Sequence, residues 1–239
     1  MALAEQHCHA GLSEDSLARL VSGVAHDLTN ALGAIANLAV LLDRRVEDAA
    51  VRHDVEAIHA AARQATDLVR RLVRVAGNGV AQPAMIDLDE VVRTALDGVG
   101  RSAGVVVRIA PGAGPVRAWF DHQHLVEILA EVALNAVEAM PAGGVIDVAI
   151  EPAPSPDAHA TVRITDHGVG MPESIRDRAT EPFATTKPAA PGRGLGLTVV
   201  ACLLERNDGR LDIDSAPGVG TTVRLSVPSV EFEKRAVDG

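Results

Sequence analysis

From Leu17 the apolar positions run Leu17, Val21, Val24, Leu28, Ala31, Ile35, Leu38 and Leu42, in alternating steps of four and three. That alternation is the heptad signature of a long helix with one apolar seam. After Arg44-Arg45 and a short acidic break, it resumes at Val51, Val55, Ile58, Ala62, Ala65, Val69, Leu72 and Ala76, and Gly77-Asn78-Gly79 stops it. Two long helices with a short connection predict an antiparallel hairpin over residues 14–77, and an apolar stripe on both arms supplies half of a bundle core. A second copy would complete it as a homodimeric four-helix bundle; a surface elsewhere in the same chain would serve equally.

The pattern changes character after a linker at 78–83. Asp87 with Glu90 three residues on is an N-cap signature, opening a helix through about Val99. Gly104 to Ala110 and Val116 to Phe120 read as strands, and Asp121 starts a long apolar helix to about Met140. The turn Pro141-Ala142-Gly143-Gly144 leads into the strand VIDVAIE, the loop PAPSPDAH and the strand ATVRITD. A helix follows from Gly194 to about Asn207, then a closing hairpin, Gly209 to Ser215 and Thr221 to Pro228, around Pro217-Gly218. Residues 84–229 therefore predict an α+β sandwich with helices on one face of a mixed sheet, and residues 1–13 and 230–239 read as solvated ends.

With 47% apolar residues the chain can bury a sizeable core, and a formal net charge of -10 without a basic stripe argues against general nucleic-acid binding. Cys8 and Cys202 imply no disulfide framework and suit a reducing compartment. The start of the chain lacks a secretory pattern, and no window approaches eighteen uninterrupted apolar residues, so the expectation is a cytoplasmic chain without a membrane span. His7-Cys8-His9 lacks a second ligand pair at suitable spacing and reads as a terminal, tag-like stretch.

Five short stretches carry candidate chemistry. In the first, VAHDLTN, the seam places His26 at the position pointing away from the apolar stripe, with Asn30 one turn further along the same face. On position alone a solvated surface histidine is the plainer reading. Glu131 and Asn135, four apart on the long helix, share a face and suit a hard cation such as Mg2+, or else form a polar stripe. Asp166-His-Gly-Val-Gly170 follows a strand, where a carboxylate can accept from an adenine amino group and glycines let backbone approach the base; an ordinary turn has the same composition. Glu181-Pro-Phe-Ala-Thr-Thr-Lys187 ends in a cation suited to phosphate. Gly192-Arg-Gly-Leu-Gly-Leu197 runs straight into a helix whose free N–H groups suit phosphate, with neither Rossmann nor Walker spacing.

Taken in order, HDLTN, NAVEAM, DHGVGMP, EPFATTK, GRGLGL and GVGTTVRLSVP resemble the transmitter region of two-component sensor histidine kinases over roughly residues 15–228. The HDxxN form, with its TTK and MPxGG neighbourhoods, is most similar to the nitrogen-regulation type. The resemblance implies a Bergerat (GHKL) ATP-binding sandwich behind a dimerising phospho-acceptor hairpin.

It further implies that His26 accepts a phosphoryl group from ATP, that Asp27 polarises the imidazole, and that the group passes to an aspartate on a response regulator receiver domain. Asn30 matches the position that orients water when such proteins dephosphorylate their partner. Asn135 would bind Mg2+, Asp166 the adenine, Gly168 and Gly170 the base pocket, Lys187 with Gly192, Gly194 and Gly196 the phosphates, and Thr221 would support Asp166. Neutral imidazole is a competent nucleophile near pH 7, and phosphoryl transfer mostly needs metal, charge and in-line positioning. The chain departs from the pattern at Ala31, where many relatives have a kinking proline, at Glu131, often asparagine, and at Arg193 within the glycine loop. Glu131 is either a base in transfer or a source of futile hydrolysis, since related ATPases activate water with a glutamate on this helix. Only residues 1–13 precede the hairpin, so the expectation is a signal delivered by a separate sensor protein or a chain cut from a larger one. The competing readings are a phosphotransfer or scaffold protein of the same fold that does not use ATP, which the intact nucleotide motifs argue against, and a serine kinase or ATPase of the superfamily, which the HDLTN hairpin argues against.

Overall fold

The computed structural model describes residues 14–76, 81–99, 103–112, 114–155, 158–186 and 194–229. Two units are distinguished, Met1–Gly79 and Val80–Gly239. The stop at Gly77-Asn78-Gly79, the two predicted solvated ends and His7-Cys8-His9 lie outside the described residues.

The first unit is the predicted hairpin, α1 (Glu14–Asp43) and α2 (Ala49–Ala76). The Asp48 carboxylate accepts from the amide of Ala50 at 2.8 Å and so starts α2. Arg52 ties the connection, donating to the Val46 carbonyl at 2.7 Å and lying 3.7 Å from Asp43. The arms pack on each other, and the side chains sheltered along them include Ala25, Thr29, Leu32, Ala36 and Ala39 on α1 and Val55, His59, Ala62, Thr66 and Val69 on α2. From Val24 onward the predicted α1 seam lies one residue away and stays outside this contact. Val24 is 58% and Leu38 59% exposed, and Leu28, Ile35 and Leu42 are exposed with them. On α2 the seam divides, with Val55 and Ala62 buried, Val51 and Ile58 exposed. Small residues let helix axes approach and bury themselves, which leaves the large apolar residues beside them facing outward. Residues Gly23–Asp43 are, by length and composition, long and apolar enough to cross a membrane, with a mean hydropathy of 1.2.

The second unit holds a five-stranded sheet of order β2-β4-β5-β7-β6 and a two-stranded sheet of β1 and β3. The strands are β1 (Ala84–Asp87), β2 (Val105–Ile109), β3 (Arg117–Phe120), β4 (Gly144–Glu151), β5 (His159–Asp166), β6 (Arg210–Ala216) and β7 (Gly220–Pro228). β2 pairs parallel with β4; all other pairs are antiparallel. One face of the sheet buries Ile146, Val148, Ala160, Val162, Ile164, Val223, Leu225 and Val227. The other is polar, with Arg163 bound to Glu151 at 3.0 Å and Arg224 to Asp212 at 2.7 Å. Alternation along each strand puts apolar residues inward and charges outward, as expected for a sheet covered on one side.

The cover is α3 (Leu88–Leu96), α4 (His122–Ala139) and α6 (Gly196–Glu205); α4 packs on α3, α6, β5 and β7. Its core row is Leu125, Ile128, Leu129, Val132, Ala133 and Ala136, facing Val199, Val200, Leu203 and Leu204 of α6. Each fully buried large aliphatic side chain contributes about 1.5–3 kcal/mol of transfer free energy. Asp87 caps α3 as expected, but the helix ends three residues before Val99, because Asp97 is extended and Gly98 takes φ +76°. Two short elements carry no periodic pattern in sequence: β1, held by pairing with β3, and α5 (Glu173–Arg176), a single turn after Pro172.

Candidate functional site

On α1, His26, Asp27 and Asn30 are all exposed, immediately after the buried Ala25. Helical geometry sets His26 and Asn30 one turn apart on one face. The sequence-predicted group is thus presented to solvent, with the carboxylate of Asp27 on the neighbouring residue. Ala31 continues the helix without interruption through Asp43, as expected where no proline removes an amide.

In the second unit the motifs converge where α4 ends, α6 begins and β5, β7 and β6 run side by side. Asp166 closes β5 and is 6% exposed. Its Oδ1 accepts from the Gly168 amide at 2.9 Å, an Asx-type turn that folds the chain back over the carboxylate. Gly168 lies where a Cβ would stand 2.5 Å from the carbonyl oxygen of Ala139, at the end of α4. Gly170 has φ +63°, and a Cβ there would drive into the Ala216 carbonyl. The amide of Val169 donates to Ala139 O at 3.1 Å, and Gly218 N donates to Val169 O at 2.8 Å. These bonds seat the DHGVG turn between α4 and the β6–β7 hairpin.

Thr221 sits directly opposite Asp166 in the β5–β7 register and opposite Ser215 in the β6–β7 register. Its hydroxyl is 3.0 Å from Ser215 Oγ. The Thr221 hydroxyl is thus engaged with Ser215.

At the other end of the site α6 starts at Gly196, two residues later than the pattern suggests, because Gly194 takes φ +78°. The N-cap is Leu195, and among the described residues no side-chain cap hydrogen bond is made there; the first-turn N–H groups of such a helix suit an anion. A Cβ on Gly196 would stand 3.0 Å from Glu131 Oε2 and 3.2 Å from Asn135 Nδ2. Glu131 is 7% exposed and Asn135 half-buried. The predicted E-x3-N pair therefore shares one face of α4, against the start of α6. Its oxygen donors fit a hard divalent cation.

Gly194 also accepts from the Phe183 amide at 2.8 Å, and Phe183 holds φ +67° with its ring exposed. Lys187, Gly192 and Arg193 lie outside the described residues. Among the described residues, no group of three or more His, Cys, Asp or Glu side chains could hold a metal ion without other donors. Sequence reading did not single out Ser215, Met171 or the backbone of Ala139 and Ala216, which hold the turns around Asp166. Only Ser215 has a side-chain signal, a hydroxyl at an otherwise apolar inward position of β6, and a lone serine before Pro-Gly does not stand out.

Residues 120–231 match the histidine kinase-, DNA gyrase B-, and HSP90-like ATPase family. Sensor kinase CckA of Brucella abortus (strain 2308) is 30% identical over 241 residues, which cover 93% of this chain and 25% of the relative. Sensor histidine kinase ZraS of Klebsiella oxytoca is 30% identical over 219 residues, covering 89% of this chain and 46% of the relative. The chain thus spans a quarter to under half the length of these two relatives. Among solved structures, full-length ShkA in complex with AMPPNP superposes with a TM-score of 0.74 at 21% identity, over 88% of this chain and 46% of that one. The mycobacterial sensor histidine kinase MprB superposes with a TM-score of 0.52 at 26% identity, over 62% of this chain and 98% of that one. With an exposed HDLTN helix ahead of an α+β unit that matches this ATPase family, the chain is similar over nearly its whole length to the transmitter region of sensor histidine kinases.

Proposed function

We propose that the chain is an ATP-dependent protein histidine kinase that phosphorylates its own His26 and passes the phosphoryl group to an aspartate on a response regulator receiver domain. The observation that carries this reading is the exposed His26-Asp27 pair on α1 in a chain whose second unit gathers Asp166, Gly168, Gly170, Asn135 and the uncapped start of α6 in one site. The neutral imidazole attacks the γ-phosphorus of ATP; one P–N bond forms as the bond to the ADP oxygen breaks. Asp27 orients the ring and stabilises the positive charge developing on it. Asp166 accepts from the adenine, Gly168 and Gly170 let backbone approach the base, and Lys187 with Gly192, Gly194 and Gly196 supplies charge and N–H groups to the phosphates. Asn135 would hold Mg2+, which neutralises phosphate charge during transfer. Glu131, beside it, acts as a base toward the incoming nucleophile.

Dimerisation through the hairpin completes the reading. The exposed row of Val24, Leu28, Ile35, Leu38 and Leu42 is the face a second copy would cover, giving a four-helix bundle. The same row accounts for the apolar character of Gly23–Asp43; a span there would place His26, Asp27 and Asn30 in or beside hydrocarbon, at about 2.5–3.5 kcal/mol for a charge near the centre. We place the unit in the cytoplasm, where ATP is, with its signal supplied by other domains or by a separate sensor protein. Asn30 adds a phosphatase activity toward the regulator, and the HDxxN and MPxGG forms assign the chain to the nitrogen-regulation type.

The test is incubation with γ-labelled ATP and Mg2+, comparing the intact chain with His26→Ala. Label that survives alkali but not acid, and that disappears with His26→Ala, supports the reading. Nucleotide binding without any label on the intact chain, even with added regulator, refutes it.

A further inference from the structure

Ser215 Oγ is the junction of three hydrogen bonds beside the turn that follows Asp166. It donates to the Gly220 carbonyl at 2.9 Å, accepts from the Met171 amide at 2.9 Å, and lies 3.0 Å from Thr221 Oγ1. A serine hydroxyl has one proton and two lone pairs. The carbonyl of Gly220 only accepts, so Ser215's one proton is committed there, and the Met171 N–H occupies one lone pair. The bond to Thr221 can then be made in one direction only, with Thr221 donating. Ser215 is buried, so no water competes for that arrangement.

Asp166, Thr221 and Ser215 are register neighbours on three adjacent strands, so their side chains form one row on the same face. The Asp166 carboxylate, which accepts from the Gly168 amide, is the group that the adenine reading makes the acceptor for the base. With its proton drawn to Ser215, Thr221 likewise offers only acceptors on its pocket side. We propose that Ser215 is the positioning residue that makes this row an all-acceptor wall, selecting a base that presents a donor, as the exocyclic amine of adenine does, over one that presents an acceptor, as the carbonyl of hypoxanthine does. The inference rests on the adenine reading of this site. Removing the Ser215 hydroxyl releases the Thr221 proton, turns one wall position into a donor, and narrows the preference between the two bases.

Calorimetric titration of the full chain with ATP and with ITP, each with Mg2+, tests this on wild type, Ser215→Ala and Ser215→Thr. Ser215→Ala is expected to weaken ATP binding roughly three- to tenfold, the worth of one hydrogen bond, and ITP binding by less, so that the ATP-over-ITP ratio falls. Ser215→Thr, which keeps the hydroxyl, restores the wild-type ratio. A purely packing role would weaken both nucleotides by the same factor, and that result, or no change in either, overturns the proposal. If Ser215→Ala loses its fold, Thr221→Val gives the decision: a fall in the ratio supports the all-acceptor wall, and an equal loss for both nucleotides overturns it. A wild-type chain that binds neither nucleotide overturns the adenine reading and this inference together, whereas wild-type ATP binding with an unmoved ratio overturns the inference alone.

Discussion

Replacing Asp121 by alanine should destabilise the second unit far more than a single surface charge would. Its Oδ1 accepts from the amides of Gln123 at 2.9 Å and His124 at 3.1 Å, capping α4, and its Oδ2 accepts from the amide of Gln82 at 2.7 Å, tying the entry of the unit to that helix. Loss of an N-cap costs about 0.5–2 kcal/mol and loss of a hydrogen bond to a charged group about 1.5–3 kcal/mol. Since Gln82 is exposed and its amide can turn to water, the sum expected is about 2–4 kcal/mol, short of the combined upper limit of about 5 kcal/mol. Trp119, the single tryptophan of the chain, is two residues from the cap and reports this unit in urea. At a slope of about 2 kcal/mol/M the midpoint should fall by about 1–2 M. Asp121→Asn keeps an acceptor for the cap and loses the one facing Gln82, so it should lie between. Burial would raise the Asp121 pKa, but the amides of Gln82, His124 and Gln123 and the nearby imidazole of His124 outweigh it and hold it below the ordinary carboxylate value. Below about pH 4 the unfolded carboxylate binds a proton that the folded one still refuses, so this stability is complete above pH 4 and is lost as pH falls through the folded pKa. The gap between wild type and Asp121→Ala should therefore be constant from pH 5 to 8 and close in acid. A midpoint shift under about 0.3 M, or a gap that persists unchanged at the lowest pH where the chain still folds, would refute the assignment.

Asp27→Asn should slow the initial rate of labelling of His26 by about a hundredfold while leaving ATP titration unchanged. Glu131→Gln should lower the labelling rate by about 10²–10⁴ with ATP affinity held within about threefold, the signature of a group needed only in the transition state. Gly170→Ala should weaken or abolish ATP binding and cost at least about 2 kcal/mol in urea, since the side chain is both left-handed and directed into the Ala216 carbonyl. Leu38→Asp with Leu42→Asp should convert a dimer to a monomer by light scattering with helical circular dichroism retained, because both side chains lie outside the contact between α1 and α2; a dimer that survives would place its interface elsewhere.

The elements legible in the sequence were those whose pattern states its own reason. Asp87 and Asp121 announce α3 and α4 as caps, and the alternation in VIDVAIE and ATVRITD marks strands with one wet face. The hairpin was legible as two helices, but not the row by which they touch, because Ala25, Ala36 and Ala39 weigh little in any count of apolar residues and are buried for their smallness. β1 escaped because a four-residue strand owes its existence to its partner, here β3, rather than to its own pattern. At the site, Asp166, Gly168 and Gly170 stood out as a motif, and Glu131 with Asn135 as a spacing. Their meeting with Gly196 needed the packing of α4 on α6, which no local pattern states. Ser215 was illegible for the same reason: its importance lies in three partners, Met171, Gly220 and Thr221, two of them reached through backbone.

The last strand in chain order among the described residues, β7, is not at an edge but between β5 and β6. During synthesis the emerging chain completes α1 and α2 long before it reaches residue 220, whereas the sheet stays open and β5 lacks one neighbour until β7 arrives. Strands waiting for a distant partner are the exposed, sticky stage of assembly. A polypeptide halted before Gly220 would thus carry the proposed phosphate acceptor, His26, yet have no Thr221 in the row beside Asp166, so on the proposed reading the acceptor is made before the nucleotide site is complete.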